Sequence, residues 1–541
     1  MSLVIPGVEV SVTKDVVAPQ LAPSGVLGLI GLTEKTRDGA VSVLSTASFV
    51  EAFGRASLYA MPDAALALQN GVRELVVVAV KSSVSKAASV SVSDDKGGFK
   101  IEAKVAGTWA NDLAVKLTKR IIPNAAAQAA ADEEAIAKEK LAKEAETKAA
   151  AARAAAKAAA DKAAGITEPV AKAAADKDAA AKATAKAAAE KLAAEAKKAA
   201  EDAALAAKKI PAILLDIAVS RGGKAVENLR GLDVEKIDEL LGAQSELLTA
   251  TKLAQTPKAA AAAGNGAETV ILIGGTDASK DDYAKALVLL ESEPDVDMVL
   301  AAVQDFSNAQ AVADIYGDVI AHCARMSAKA RGRIGFGQVP HFAAATSTAA
   351  QWAESAPQFF SDRFVLLAPN GVAGAVAGMI GSLEYFQSPT FKAIAGVTEP
   401  SRKLLAEEQE KLLLAHIVPV ATMRGRGTVV VRGLTTDGDQ ISVRRAADHA
   451  VRGVQMIGEL FIGRLNNETG RGALREKLVE FLMQMEKEGA IVPSTDRRDP
   501  AFKVNVYSSQ DDFAKGIVRI DMAVRPVRAI DYIYATVLVQ A

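Results

Sequence analysis

Apolar positions along this chain follow three distinct patterns. In the first, short continuous apolar runs at 25–32, 74–80, 298–303, 332–339 and 364–368 alternate with helical stretches at 46–53, 64–70, 281–291 and 309–329. Unbroken apolar runs of this length predict strands buried on both faces, and their alternation with helices predicts βαβ crossovers in a doubly wound α/β sheet. A further apolar run, 269–273, is expected to join that sheet. In the second pattern, residues 89–93, 99–103, 111–119 and 213–219 alternate polar with apolar, as exposed antiparallel strands do. They predict a small β-rich module inserted between the first and later strands of the α/β domain. The third pattern, 124–209, is alanine spaced with Lys, Glu and Asp. Alanine loses least on entering a helix, and Gly165 followed by Pro169 marks a stop and a restart. Two helices of about forty residues are predicted, each on the order of 60 Å long at 1.5 Å per residue. Ile136, Leu141, Leu192 and Leu205 are the few large apolar residues present, so the hairpin has to rely on propensity and close Ala–Ala contact.

The C-terminal part reads as α+β. A hairpin is expected from 427–432 and 440–443 around Asp437-Gly438, then helices at 446–465 and 472–488 and a strand at 504–508. Val518, Ile520, Met522 and Val524 then alternate with Arg519, Asp521, Ala523 and Arg525, which predicts a strand with one buried face. Pro526 interrupts the run, and 530–539 is again rich in β-branched and aromatic residues. At the other end Val8, Val10 and Val12 alternate with Glu9, Ser11 and Thr13. Ile530, Tyr532, Tyr534, Val537 and Val539, with Val8, Val10 and Val12, are therefore candidates for strands lent to a neighbouring copy. The alternative, in which both terminal strands pair within one monomer, stays open on the residues alone. The expected division is an N-terminal arm (1–24), a first part of the α/β domain (25–83) and the inserted module (84–267) carrying the hairpin (124–209). A second α/β part (268–416), a C-terminal α+β domain (417–516) and a C-terminal β arm (517–541) complete it.

Composition narrows the function. Lys plus Arg (64) balances Asp plus Glu (65), which argues against a general nucleic-acid binder. One cysteine, Cys323, permits no internal disulfide and suits a reducing compartment; no signal-peptide pattern or membrane span is expected, so synthesis is expected in the cytoplasm. Gly274-Gly275-Thr276 follows a strand but lacks the spacing of a phosphate loop, as do Gly335-Phe336-Gly337 and the glycines from Gly371 to Gly381. His322, His341, His416 and His449 are scattered without metal-ligand spacing, and His322-Cys323 reads as a packed pair within a helix. Asp496-Arg497-Arg498-Asp499 reads as a surface ion-pair cluster. No catalytic, cofactor or metal site is expected.

Several short motifs occur in a set order. Pro6-Gly7-Val8-Glu9-Val10 is followed by Gly28 to Gly31, Phe49 to Gly54 and Gly107-Thr108-Trp109-Ala110-Asn111. Arg426-Gly427-Thr428-Val429-Val430-Val431-Arg432-Gly433-Leu434-Thr435 and Val443-Arg444-Arg445 come later. In this order they resemble the contractile-tail sheath family of phages, tailocins and related injection systems, with Gly427, Gly433, Arg444 and Arg445 carrying the strongest match. Ala110, Val431, Arg432 and Leu434 depart from the family pattern. The resemblance implies a structural subunit, not an enzyme. Such a subunit polymerises helically around an inner tube through exchanged terminal strands and contracts to drive the tube through a target envelope. The implied partners are other copies of the chain, the tube protein, and baseplate and terminator proteins. It also implies a tube-facing C-terminal domain and an outward-facing module. Two alternatives are a soluble α/β nucleotide-binding protein or enzyme with a helical insertion, and a filament or surface-layer protein that does not contract.

Overall fold

The computed structural model describes residues 24–94, 97–122, 125–207, 212–253, 267–339 and 349–535. Of the strand candidates, Val8, Val10, Val12, Val537 and Val539 lie outside the described residues, as does His341. The chain opens with β1 (Val26–Gly31), β2 (Ala40–Val43) and β3 (Glu74–Ala79). It then forms β4 (Ser89–Asp94), β5 (Gly97–Ala103) and β6 (Leu113–Ile122) before the two long helices, and β7 (Ala212–Arg221), β8 (Lys224–Asp233), β9 (Leu248–Lys252) and β10 (Ala267–Ile271) after them. The remaining strands are β11 (Met298–Ala301), β12 (Ile334–Gln338), β13 (Phe364–Ala368), β14 (Val418–Met423), β15 (Gly427–Val430), β16 (Phe502–Tyr507) and β17 (Arg519–Val524).

The largest sheet has eight strands in the order β15-β14-β13-β12-β11-β1-β3-β2, so β1 to β3 rejoin strands more than two hundred residues later. The run from β14 to β3 is parallel throughout, and β15 and β2 are antiparallel at its edges. Alternate side chains feed two separate cores. Val26, Ile30, Val76 and Val78 pack with Tyr283 of the Lys280–Leu289 helix and Val319 of the Ala309–Ala328 helix. Leu27, Leu29, Leu75 and Val77 pack on the other face with Ala67 of the Pro62–Gln69 helix and Val376 of the Ala373–Ser382 helix. Burying both faces is what removes polar alternation from these strands. The glycine-rich stretch after β13 is the fully buried part of the Ala373–Ser382 helix. A Cβ at Gly374 would lie 2.4 Å from the Asp63 backbone, and one at Gly378 would lie 2.4 Å from the Ala67 carbonyl. These glycines therefore let two helices touch backbone to backbone; they are packing residues.

Two smaller sheets form the β-rich part: β10-β6-β7-β8 and β4-β5-β9. The β6–β7 ladder runs unbroken from Leu113↔Arg221 to Ile122↔Ala212, so the long helices leave and re-enter at one end of a paired hairpin. Those helices are Ala125–Ala164 and Pro169–Ala207. The less exposed positions of the first, Ala135, Lys138, Ala142, Ala145, Ala149, Ala152, Ala156, Ala159 and Ala163, recur alternately three and four residues apart. That is a heptad seam, occupied almost wholly by alanine. Ile136, Leu141 and Leu192 stay exposed off the seam, so small side chains in close approach hold the pair together. Arg153 bridges to Glu190 across it at 2.5 Å.

Two expectations are corrected. The run 269–273 does not enter the large sheet: β10 pairs antiparallel with β6 in the four-stranded sheet, and only Leu272 within the run is buried. A short apolar run cannot by itself distinguish a central parallel strand from an edge strand. The segments 427–432 and 440–443 do not pair as a hairpin. β15 turns back onto β14 instead, which brings both into the large sheet, and 441–443 opens the Ile441–Glu459 helix; an isolated Leu434↔Gln440 bridge lies in the turn before it. Burial of Ile441, Ala446, Ala450 and Ile457 overrides the strand propensity of Ile-Ser-Val there. Within its own chain, 530–535, the described part of the 530–539 run, forms no strand.

Candidate assembly site at the C-terminal end

The alternation read in 518–525 is present. β17 pairs antiparallel with β16, from Phe502↔Val524 to Tyr507↔Arg519. Val504, Val506, Ile520, Met522 and Val524 turn toward the Ile441–Glu459 and Glu468–Lys487 helices, where Leu474, Leu478, Leu482 and Met485 are buried. Lys503, Asn505, Arg519, Asp521 and Ala523 point away and are exposed. Among the described residues no third strand joins this sheet. Arg519 grips Asp512 with two hydrogen bonds of 2.8 Å, which holds the Asp512 carboxyl down at about 2 and fixes the approach to β17.

Beyond β17 the chain crosses from this small sheet back to the edge of the large one. Arg525 N–H donates to the Ala501 carbonyl, Val492 N–H to the Arg525 carbonyl and Val527 N–H to the Ala490 carbonyl. Arg528 then donates to Asp439 at 2.7 Å, and Asp531 accepts from Arg432 at 2.9 Å and Gln440 at 2.8 Å. Past that point Tyr532, Ile533 and Tyr534 are 63%, 84% and 95% exposed; Ile530 is 80% exposed. Thus the described candidates Ile530, Tyr532 and Tyr534 present their side chains to solvent.

Arg444 and Arg445 take up different positions at the start of the Ile441–Glu459 helix. Arg444 donates to Asp362 and Asp448, both at 3.0 Å, while Arg363 adds two bonds to Asp448 at 2.8 and 3.1 Å. Arg445 is buried, donates to the Ile380 carbonyl at 3.0 Å and lies 4.0 Å from Asp297. Asp297 in turn accepts from the backbone N–H groups of Gly25 and Val26. Two turns on, Arg452 donates to the carbonyls of Val296 and Gly332. Sequence reasoning singled out Arg444 and Arg445 but missed Arg452, Asp297 and Asp448. Together these residues rivet the helix that carries the small sheet to the entry ends of β1 and β11, so the two parts are held at a defined angle. Gly427 and Gly433 lie elsewhere. Gly427 begins β15 at a φ of 76°, which favours glycine, and a Cβ at Gly433 would lie 2.3 Å from Pro389.

The other sequence candidates resolve into structural roles. The Gly274-Gly275-Thr276 turn docks the β-rich part on its neighbour strands: Lys86 N–H donates to the Thr276 carbonyl and Asn111 Nδ2 to the Gly275 carbonyl. His322 and Cys323 are buried, and Arg333 donates to His322 Nε2 at 2.8 Å. Burial, then the adjacent Arg333 charge, holds His322 down at about 4, and burial pushes the Cys323 thiol up to about 12. Asp496 and Asp499 pair with Arg498 and Arg525 at the surface. Among the described residues no group of three His, Cys, Asp or Glu is placed to hold a metal, and no helix is long and apolar enough to cross a membrane.

Comparison with known families bears on these readings. The phage tail sheath protein central domain matches residues 276–436, and the phage tail sheath C-terminal domain matches 435–540. Residues 276–540 belong to the phage tail sheath family. These two matches span the later strands of the large sheet, the arginine rivets and the small sheet. Among solved structures, the sheath tail protein of Desulfitobacterium hafniense is 13% identical, with 97% of each chain covered and a TM-score of 0.46. That of Listeria innocua is 12% identical, covering 95% of this chain and 94% of its own, with a TM-score of 0.44. The anti-feeding prophage helical sheath in its contracted state is 17% identical, covering 51% of this chain and 78% of its own, with a TM-score of 0.39. No curated protein sequence matches this chain.

Proposed function

We propose that this chain is the repeating subunit of a contractile tail sheath, polymerising helically around an inner tube and tethered to neighbouring copies by exchanged terminal strands. The observation that carries the reading is the two-stranded β16–β17 sheet. A pair of strands is marginal in water without further strands or a covering helix. Here helices cover one face, while the strand edges offer backbone donors and acceptors to another chain. The exposed, β-prone Ile530, Tyr532 and Tyr534, continuing into Val537 and Val539, supply one matching segment, and Val8, Val10 and Val12 supply the other. An added strand of about six residues makes several backbone bonds at about 1 kcal/mol net each, plus side-chain burial. That is enough to keep copies joined while contacts between rigid bodies are exchanged.

A head-to-tail contact of this kind that does not close generates a helix. Contraction then draws on energy stored at assembly, in a kinetically trapped extended polymer. In this reading the C-terminal part faces the tube, the β-rich part faces outward with its alanine hairpin projecting from it, and baseplate and terminator proteins cap the ends. Particle assembly follows cytoplasmic synthesis. The test is removal of 532–541 from the full chain, followed by sedimentation and negative-stain microscopy. Loss of polymer with an unchanged folded core is expected; regular sheath-like polymer from the truncated chain overturns the proposal.

A further inference from the structure

The segment that crosses from the small sheet to the large one ends in a cluster that fixes where the chain leaves its own body. Gln440, itself buried, treats the segment as a neighbouring strand would: its Oε1 accepts from Ala529 N–H at 2.9 Å, and its Nε2 donates to the Ala529 carbonyl at 3.1 Å. The same Nε2 donates to Asp531 at 2.8 Å, where Arg432 Nε also donates at 2.9 Å and Thr390 Oγ1 at 3.5 Å. The Asp531 side chain is only 6% exposed, although it sits in an otherwise apolar and aromatic run. Burying a carboxylate is costly unless it is paired and hydrogen-bonded, so the segment holds this position only with Arg432 and Gln440 in place. Arg432 also lies over the Tyr532 ring, 5.1 Å from its centroid, and thereby aims the first residue beyond the cluster. After Asp531, no backbone hydrogen bond among the described residues holds Tyr532, Ile533 or Tyr534 to the chain.

We propose that Arg432, Gln440 and Asp531 form a latch that sets the exit direction of the C-terminal segment, making Asp531 a positioning residue for docking onto a second copy. This rests on the strand-exchange reading above. A strand must arrive at its acceptor edge in register, because a slip of one residue turns every side chain to the other face. A free chain end samples many directions, whereas a latched one starts from a single direction and loses less entropy on docking. The latch also accounts for Arg432, which departs from the family motif: its guanidinium is the cation that holds Asp531.

The test uses full-length chains carrying D531A, or a Gly-Gly insertion between Asp531 and Tyr532 that leaves the latch intact while releasing the exit direction. Thermal unfolding reports the fold; pelleting across a concentration series and electron microscopy report assembly. Both variants are expected to keep the parent unfolding midpoint within a few degrees while raising the critical concentration at least tenfold, or giving polymers of irregular twist. R432K, which keeps a cation, is expected to assemble closer to the parent than R432M. If D531A fails to fold, the insertion variant decides. Either folded variant polymerising like the parent overturns the latch. If the chain lacking 532–541 also polymerises like the parent, it is the strand-exchange reading itself that fails.

Discussion

Asp448 is the residue whose replacement probes most directly how the C-terminal part is fixed to the large sheet. Its carboxylate receives three bonds from arginines, two from Arg363 and one from Arg444, and its side chain is 10% exposed against 13% for Arg363 and 24% for Arg444. Asp448→Asn keeps the shape and opens no cavity, while it removes the charge and turns one of the two accepting oxygens into an NH2 donor. A hydrogen bond to a charged partner contributes about 1.5–3 kcal/mol and a neutral one about 0.5–1.5, and the asparagine Nδ2 cannot accept, so two weakened bonds and one lost amount to about 4 kcal/mol. Breaking a buried ion pair from one side costs about 3–5 kcal/mol. Arg444 keeps Asp362 as a second partner at 3.0 Å, which reduces its share, so the expected cost is about 2–4 kcal/mol, most of it through Arg363. The assay is urea unfolding in a Trp109→Phe background. Trp352 is then the sole tryptophan, and it is buried in the core that also contains Phe364, next to Arg363. A double-mutant cycle with Arg363→Met should return a coupling above about 1 kcal/mol. A cost for D448N below about 1 kcal/mol, or additive effects of the two substitutions, would refute the riveting account.

Two further outcomes are expected. His322 and His449 are both held down at about 4, chiefly by burial, so the unfolded chain binds protons they do not, and stability falls as pH drops from about 6.5 toward 4. Asp63 is pushed the other way, to about 6 by burial, and opposes them below that pH; the net loss from these three groups should be about 1.4 kcal/mol per pH unit. Urea midpoints measured against pH should steepen in D63N and flatten in H449Q, and unchanged slopes would refute the assignment. Because Ile122 and Ala212 are already paired across the β6–β7 ladder, joining them through Asn-Gly in place of the alanine hairpin should close a tight turn. The shortened chain is expected to unfold within a few degrees of the parent and still polymerise, with a large drop in helical circular dichroism. Loss of the β-rich part, read from Trp109 fluorescence, would show that the hairpin is needed for folding.

Local order was written in the residues themselves. The apolar runs of β1, β3, β11, β12 and β13, the two-residue period of β17 and the helical turn-and-restart at Gly165 to Pro169 each depend on side chains near in sequence, and each element is where those patterns place it. The alanine pair could be read for the same reason: its seam is a repeat that needs no distant partner to be recognised. Pairing was not legible. β10 and β15 are short and β-prone enough to join any open edge, and packing across the molecule chose β6 and β14 for them. The candidate site divides the same way. The exposed, β-prone side chains of Ile530, Tyr532 and Tyr534 could be picked out from composition alone. The bonds that aim them could not, because Arg432 and Gln440 meet Asp531 across 99 and 91 residues. Periodicity encodes which face of an element is buried, but a buried ion pair leaves no periodic trace. Only folding brings its two halves together.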